Sequence, residues 1–275
     1  MRVIPFLKMD GLGNDFVIID ERQKSFGLSD KDIIKMADRK TGVGFDQLIV
    51  IANPINPAEH TAAIKIYNAD GSTAGACGNG TRCVGKVLLA ETGKASLKIE
   101  APGNRVLEVF AGKQITANMG KPNLDWHGIP LAEEADTLGL PKIAEGLPRP
   151  SAVNVGNPHV IFFVMDLVKV DVEKYGPIVE NHHLFPERTN VEFVEVKAQD
   201  HLRMKVWERG AGMTKACGTG ACASLVAAVR RGLCRRSAKV EMDGGELQIT
   251  WSENGDILMT GDAHQSFAGS FFPDE

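Results

Sequence analysis

No run in this chain of 275 residues is apolar enough to cross a bilayer as a helix: Val160 to Met165 falls far short of the ~20 residues such a span needs. Neither sign of charge dominates, with 31 Lys and Arg against 35 Asp and Glu and a net charge of −4. That removes the basic footprint of a nucleic-acid binder and the polybasic run of a membrane-surface protein. The densest basic cluster, Arg230 to Lys239, reads as a solvated helix end and turn. A G-x-x-x-x-G-K phosphate loop is missing, as is a glycine-rich dinucleotide fingerprint in a βαβ unit, so neither nucleotide nor nicotinamide is expected. Pro5 and charged residues interrupt Met1 to Asp10 before a signal-peptide core could form, which makes the cytoplasm the expected compartment.

Cysteine is scarce and odd in number: Cys77, Cys83, Cys217, Cys222 and Cys234. A chain long enough to build a core without staples, with an unpaired count, fits reduced thiols. The spacing from Cys77 to Cys83 and from Cys217 to Cys222 does not match the C-x2-C knuckles of structural zinc, and no clustered His completes a set, so no metal is expected.

What is present is a repeat. Ala76-Cys77-Gly78-Asn79-Gly80 returns 140 residues later as Ala216-Cys217-Gly218-Thr219-Gly220. Gly13-Asn14 with Val17-Ile18 matches Gly156-Asn157 with Val160-Ile161 at an offset of 143, and Gln47 before Leu48-Ile49-Val50 matches Asn190 before Val191-Glu192-Phe193 at the same offset. Ile64-Lys65-Ile66-Tyr67-Asn68 matches Met204-Lys205-Val206-Trp207-Glu208 at 140, and Lys98-Ile99-Glu100 matches Lys239-Val240-Glu241 at 141. A period this long means two duplicated domains rather than a solenoid. Each half reads as α/β. Strands with period-two alternation, such as Ile64 to Tyr67 and Met204 to Trp207, lead through a glycine-rich loop to a cysteine and then a helix. The second helix carries Cys222, Leu225, Val226 and Val229 on one stripe and stops at Gly232, while the first carries Val84, Val87, Leu88 and Ala90 and stops at Gly93. Lys121 to Pro150, rich in Pro and Gly, reads as the crossover, giving halves 1–120 and 121–263.

A Cys-Gly-x-Gly run opening a helix suits anion chemistry, because first-turn N–H groups lack helical partners and the macrodipole favours negative charge there. The same field is expected to stabilise thiolate over thiol and lower the cysteine pKa. If the halves face each other, Cys77 and Cys217 would flank one carbon, the geometry for moving a proton from one face to the other. Two helix ends would then stabilise charge spreading onto the carboxylate, in the manner of an oxyanion hole. His159, in the repeated Gly-Asn block, is a candidate for tuning a thiol. Arg209 stands where a bidentate clamp on a second carboxylate would be placed, beside Glu208.

These residues resemble the diaminopimelate epimerase family over nearly the whole chain. The resemblance rests on Gly11-Leu12-Gly13-Asn14-Asp15-Phe16, Gly44-Phe45-Asp46-Gln47, Asn68-Ala69-Asp70-Gly71-Ser72, Cys77-Gly78-Asn79-Gly80, Gly156-Asn157-Pro158-His159, Thr189-Asn190-Val191-Glu192 and Glu208 through Gly220. It implies a cofactor-independent isomerase that interconverts LL- and meso-diaminopimelate in lysine synthesis, with Cys77 and Cys217 as the acid/base pair. Gly78, Asn79, Gly218 and Thr219 would hold the reacting carboxylate, and Asn68, Asn157, Asn190 and Arg209 the distal end. Asn14 and Gln47 would line the same pocket, with His159 and Glu208 near the thiols. It further implies two α/β domains, each a curved, mostly antiparallel sheet around a central helix, with the site in the cleft between them. Residues 264–275 would pack back on the first half, and the protein would be a homodimer. The chain departs from the family's usual residues at Thr73, Ala76, Thr81 and Met213, beside the motifs rather than in them. A proline or hydroxyproline racemase shares Cys-Gly-x-Gly, and a thiol redox or ligand-binding protein would merely join the two cysteines.

Overall fold

Strands form where apolar and polar residues alternate, and in both halves they precede and follow one long helix. The computed structural model describes residues 2–75 and 78–273, so Ala76 and Cys77 lie outside the described residues. The chain divides into two compact units, residues 1–118 with 261–275, and residues 119–260. The first contains β1 (Ile4–Gly11), β2 (Asn14–Asp20), α1 (Asp30–Ala37), β3 (Gln47–Ala52), β4 (Ala62–Asn68), α2 (Gly78–Thr92), β5 (Ser96–Ala101), β6 (Arg105–Phe110) and β7 (Ile115–Asn118). The second contains β8 (Ser151–Asn154), β9 (Pro158–Phe163), α3 (Val172–Glu180), β10 (Asn190–Ala198), β11 (His201–Glu208), β12 (Gly212–Thr214), α4 (Gly218–Arg230), β13 (Ser237–Met242), β14 (Gly245–Trp251) and β15 (Ile257–Gly261). The last strand, β16 (His264–Phe271), pairs antiparallel with β1 of the first unit.

The duplication is written in the ladders. From β1 to β7 successive neighbours pair antiparallel, parallel, antiparallel, parallel, antiparallel and antiparallel. The series β8, β9, β10, β11, β13, β14, β15 repeats that succession, with β12 added to the side of β11. A mixed, mostly antiparallel α/β fold in two repeated halves is therefore what the chain adopts.

Alternation sorts the side chains onto two faces of each sheet. On one face of the second unit, Val160, Phe162, Val191 and Phe193 pack with Val172 and Val179 of α3. The other face carries His159, Asn190 and Glu192, along with Met204, whose sulfur accepts from Ser224 of α4. In the first unit Val17, Ile19, Leu48 and Val50 pack with Ile33 and Met36 of α1, leaving Phe16 and Ile49 for the opposite face. Buried on both sides, these strands read as near-continuous apolar runs.

Three local expectations need correction. The buried stripe of α2 is Val84, Gly85, Leu88 and Leu89, with Val87 half-buried and Ala90 exposed. The cause is Gly85, where a Cβ would lie 3.2 Å from Val109, so the helix rotates its glycine face onto β6. Residues 119–150, read as a crossover, form no helix or strand and bury Ile129, Leu131, Leu140, Ile143 and Leu147 in the core of the second unit. Arg230 and Arg231, placed in a solvated cluster by the sequence, are partly buried and bond that segment: Arg230 donates to Thr137 Oγ1, and Arg231 to Ser151 Oγ and to the carbonyls of Leu138 and Arg149. Arginines at a helix C-terminus also face its exposed carbonyls and the negative end of its dipole.

Helix α3 approaches β11 so closely that Gly176 has no room for a side chain: a Cβ there would lie 2.4 Å from two atoms of Trp207. Gly176→Ala should destabilise the protein by about 1–3 kcal/mol from overpacking. This should occur although alanine for glycine in an open helix gains up to about 1 kcal/mol. A higher midpoint in urea unfolding would show that α3 is free to shift.

Candidate active site

The first unit carries its candidate residues at strand ends, one of which, Asn14, bonds the first turn of α2. Gln47 opens β3 and pairs in register with Asn68, the last residue of β4, and its Nε2 donates to Asn68 Oδ1 at 3.1 Å. Asn68 Nδ2 in turn donates to Ser72 Oγ. Asn14 opens β2, donates to Asp46 Oδ2 at 3.0 Å and accepts from Asn79 Nδ2 at 2.9 Å. Asn79, in the first turn of α2, is buried, and so is Arg82 one turn on, whose guanidinium donates to Asn79 Oδ1 at 3.0 Å. Gly78 is the first residue of the helix. The candidate Cys77 lies outside the described residues. The first unit's large open cavity, of about 870 Å³, lies along β4 and the β5–β6 turn and is lined by none of the candidate residues.

An ion network holds this corner. Asp15 accepts from both terminal nitrogens of Arg39, at 2.9 and 2.8 Å, and from Lys8 Nζ at 2.6 Å, while Arg39 also reaches Asp46 at 2.7 Å. Lys8 also donates to the Gly44 carbonyl. Partial burial alone would raise the Asp15 pKa, but the hydrogen bonds and charges of Arg39 and Lys8 outweigh it and bring it down to about 2.

In the second unit the sulfur is visible. Cys217 is the N-cap of α4: its Sγ accepts from the Gly220 amide at 3.3 Å and lies 3.4 Å from Thr219 Oγ1. The first helical bond runs from Ala221 N to the Cys217 carbonyl, so the amides of Gly218 and Thr219 precede the ladder, as an anion site requires. Beneath the turn, His159 and Glu192 are fully buried and joined, Nδ1 to Oε1, at 2.7 Å. His159 Nε2 lies 2.9 Å from Asn157 Oδ1.

At the next strand end Asn190 donates to the Pro158 carbonyl and accepts from the Arg209 amide at 3.0 Å. Arg209 Nη1 donates to the Glu187 carbonyl, and Glu208 accepts from Thr214 Oγ1. Asn14 in the first unit reaches the start of its central helix through Asn79, and in the second unit the His159–Glu192 pair lies against the start of α4 at Gly220.

One expectation is overturned. The helix field was expected to lower the thiol pKa, but burial pushes Cys217 well above the ordinary cysteine value, with the negative charges of Glu208 and Glu192 adding to it. The Thr219 hydroxyl and Gly220 amide act in the opposite sense and are outweighed. Desolvation costs a thiolate more than the two hydrogen bonds return.

Sequence reasoning passed over two carboxylates. Glu180, at the end of α3, accepts from Trp207 Nε1 at 2.7 Å and from the Gly210 amide at 2.9 Å, fixing the loop that carries Glu208 and Arg209. Glu192 lay inside a matched motif, but only the fold reveals its contact with His159. A hydrophobic run interrupted by one acid, Val191-Glu192-Phe193, was the available signal.

The same fold recurs in solved structures of other proteins. A phenazine biosynthesis protein of the PhzF family from Bacillus anthracis matches with a TM-score of 0.69 at 16% identity, covering 99% of this chain and 100% of that one. A probable proline racemase from Agrobacterium radiobacter K84 matches with a TM-score of 0.67 at 13% identity, covering 98% and 93%. At these identities they share the fold alone. The family model for diaminopimelate epimerase matches residues 6–124 and 151–265. A diaminopimelate epimerase from Phenylobacterium zucineum (strain HLK1) is 49% identical over 271 residues, 96% of each chain. This chain belongs to the diaminopimelate epimerase family.

The network around Asp15 gives a pH test. A carboxylate whose folded pKa is depressed contributes stability that is full above its unfolded value near 3.8 and is lost as pH falls toward about 2. Asp15→Asn should therefore be less stable than the parent at pH 7, by about 1–3 kcal/mol for lost charge-assisted bonds. The deficit should narrow as pH falls below about 4. Urea unfolding of both proteins across that range measures it; a constant deficit would mean the charge of Asp15 contributes nothing.

Proposed function

We propose that the protein inverts one α-carbon of 2,6-diaminopimelate, interconverting the LL and meso forms by proton transfer between two thiols. The observation that carries the reading is the Cys217 cap of α4, a buried thiol against a helix start, in a chain 49% identical to a diaminopimelate epimerase over 96% of its length.

In this mechanism one sulfur, as thiolate, removes the α-proton, and the other, as thiol, delivers its own proton to the opposite face. After a turnover the protonation states are exchanged. Cys217, whose thiol form burial favours, is the donor in one direction of turnover, and Cys77 is the other sulfur. The second assignment rests on the repeat of Ala-Cys-Gly-x-Gly and on the family. As the α-proton leaves, charge spreads onto the neighbouring carboxylate, where the first-turn amides of Gly218 and Thr219, with Gly78 and Asn79, would receive it. Asn68, Asn157, Asn190 and Arg209 hold the distal amino acid group, with Asn14 and Gln47 lining the same pocket. His159 and Glu208 tune the thiols. The chemistry needs no electron sink beyond the carboxylate, and it needs both thiols reduced, which a cytoplasmic location maintains. We further infer a homodimer, which rests on the resemblance to the family.

A distal clamp distinguishes this substrate from proline, which has no second carboxylate. Arg209 is held at its backbone amide by Asn190, and its Nη1 donates to the Glu187 carbonyl. Arg209→Lys should raise KM for diaminopimelate about thirtyfold, equivalent to about 2 kcal/mol, with a smaller fall in kcat, because lysine cannot reproduce a planar two-bond contact. Cys77→Ala and Cys217→Ala should each abolish turnover. In deuterated solvent the protein should wash label into the α-position of LL- and meso-diaminopimelate and leave proline unlabelled. Labelling of proline in preference to diaminopimelate would replace this reading with a proline racemase, and no labelling of any amino acid would replace it with a binding or redox protein.

A further inference from the structure

Glu192 has no place in the reaction just described, yet it is one of two fully buried ionisable groups beside the reacting thiol. Its side chain is fully buried, Oε1 is 2.7 Å from His159 Nδ1, and Oε2 finds no hydrogen-bond donor among the described residues. The same carboxylate lies against the helix start. A Cβ on Gly220 would come within 2.7 Å of Glu192 Oε1 and 3.3 Å of Cys217 Cβ, and it is the Gly220 amide that donates to Cys217 Sγ. Glycine at position 220 is what lets acid and thiol share one turn of backbone.

The repeat shows that the fold does not require this pair. At the offset of 143, His159 corresponds to Phe16 and Glu192 to Ile49, each fully buried on the α2 face of the first unit. The parallel registers agree, since Phe16 pairs with Gln47 as His159 pairs with Asn190. One copy of the architecture fills these places with hydrocarbon and the other with two ionisable groups, whose desolvation is costly.

The proton count follows from the partners. Asn157 Oδ1 accepts at His159 Nε2, so that nitrogen carries a hydrogen. Nδ1 and Glu192 Oε1, at 2.7 Å, then have one further proton between them, on either atom. The other titratable groups facing the pair are Glu208, from the end of β11, and Cys217, from the start of α4.

We propose that Glu192 is a positioning residue for the Cys217 thiol: with His159 it holds one shared proton under the helix start, and that proton moves between Nδ1 and Oε1 as charge appears and disappears on Sγ. When Cys217 has given its proton to the substrate, the shared proton sits on Glu192 and removes a like charge from beside the thiolate. When Sγ is protonated again, the proton can return to His159. The pair neither gains nor loses a proton over the cycle. Burial and Glu208 favour protonation of Glu192, opposed by a charged His159, so the protonated form is within reach.

The inference rests on Cys217 being a reacting thiol. Its test uses the full chain with diaminopimelate as substrate, measuring kcat, KM, the pH profile of kcat and thermal unfolding for Glu192→Gln, Glu192→Asp and Glu192→Ile. Gln can donate to Nδ1 but cannot pass a proton, so Glu192→Gln should leave KM unchanged, lower kcat about tenfold, the effect of one unit in thiol pKa, and displace one limb of the pH profile. Glu192→Asp should recover part of that loss. Glu192→Ile, which copies the first unit, should fold and show the larger loss in kcat; if it does not fold, the comparison of Gln with Asp decides alone. Wild-type kcat and an unmoved pH profile in Glu192→Gln would overturn the role of Glu192 while leaving the proposed reaction intact. Full activity in Cys217→Ala would instead overturn the reaction, and this inference with it.

Discussion

A thiol buried at the start of a helix is pulled two ways, since the helix end favours the anion and the loss of water opposes it. In the second unit the loss of water wins, and Cys217 rests as a thiol although an amide and a hydroxyl reach its sulfur. Most of the surrounding construction follows from that balance. The helix must begin inside the protein, so its opening turn has to be built from residues small enough to pass between strands. The strand ends beside it carry the polar side chains Asn157, His159, Asn190 and Glu208, of which His159 and Asn190 are buried and find their partners within the protein. The outer face of the same sheet, with its stacked Phe162 and Phe193, supplies the apolar packing that keeps those strand ends in place.

The two units solve one packing problem with different chemistry. Both place a long helix on the same face of the same succession of strands, and both put an amide side chain at the head of the third strand. They differ one row deeper, where the first unit is hydrocarbon and the second is an acid and an imidazole. A duplicated fold that keeps its backbone can thus change the chemistry beside one central helix by exchanging two side chains, Phe16 and Ile49 in the first unit for His159 and Glu192 in the second.

Much of this was legible in the sequence because it is written in short-range spacing. The alternation of Met204 to Trp207, the apolar stripe from Cys222 to Val229 and the matched glycines located the strands, the helix and its starting turn without reference to distant residues. What escaped is what depends on contacts across strands. Glu192 touches His159 from a neighbouring strand, Glu180 reaches the loop after β11 from α3, and Gly85 turns its helix because Val109 is there. The proline-rich segment read as a connector is packed core, because Ile129, Leu140 and Leu147 are spaced by turns and show no period. The direction of the Cys217 ionisation was misread because the helix field is local to the sequence, whereas burial is a property of the whole unit.

The pairing of β16 with β1 has a consequence for how the chain comes into being. The second unit is continuous, residues 119–260, but the first is not complete until its final strand arrives from the far end of the chain. During synthesis β1 leaves the ribosome more than two hundred residues ahead of its partner, with the edge that β16 will cover still open. An uncovered edge is a template for pairing with other chains, and contacts of such long sequence separation form slowly. The first unit therefore carries an open strand edge until the last strand is made, and the contacts that close it are ordinary backbone hydrogen bonds.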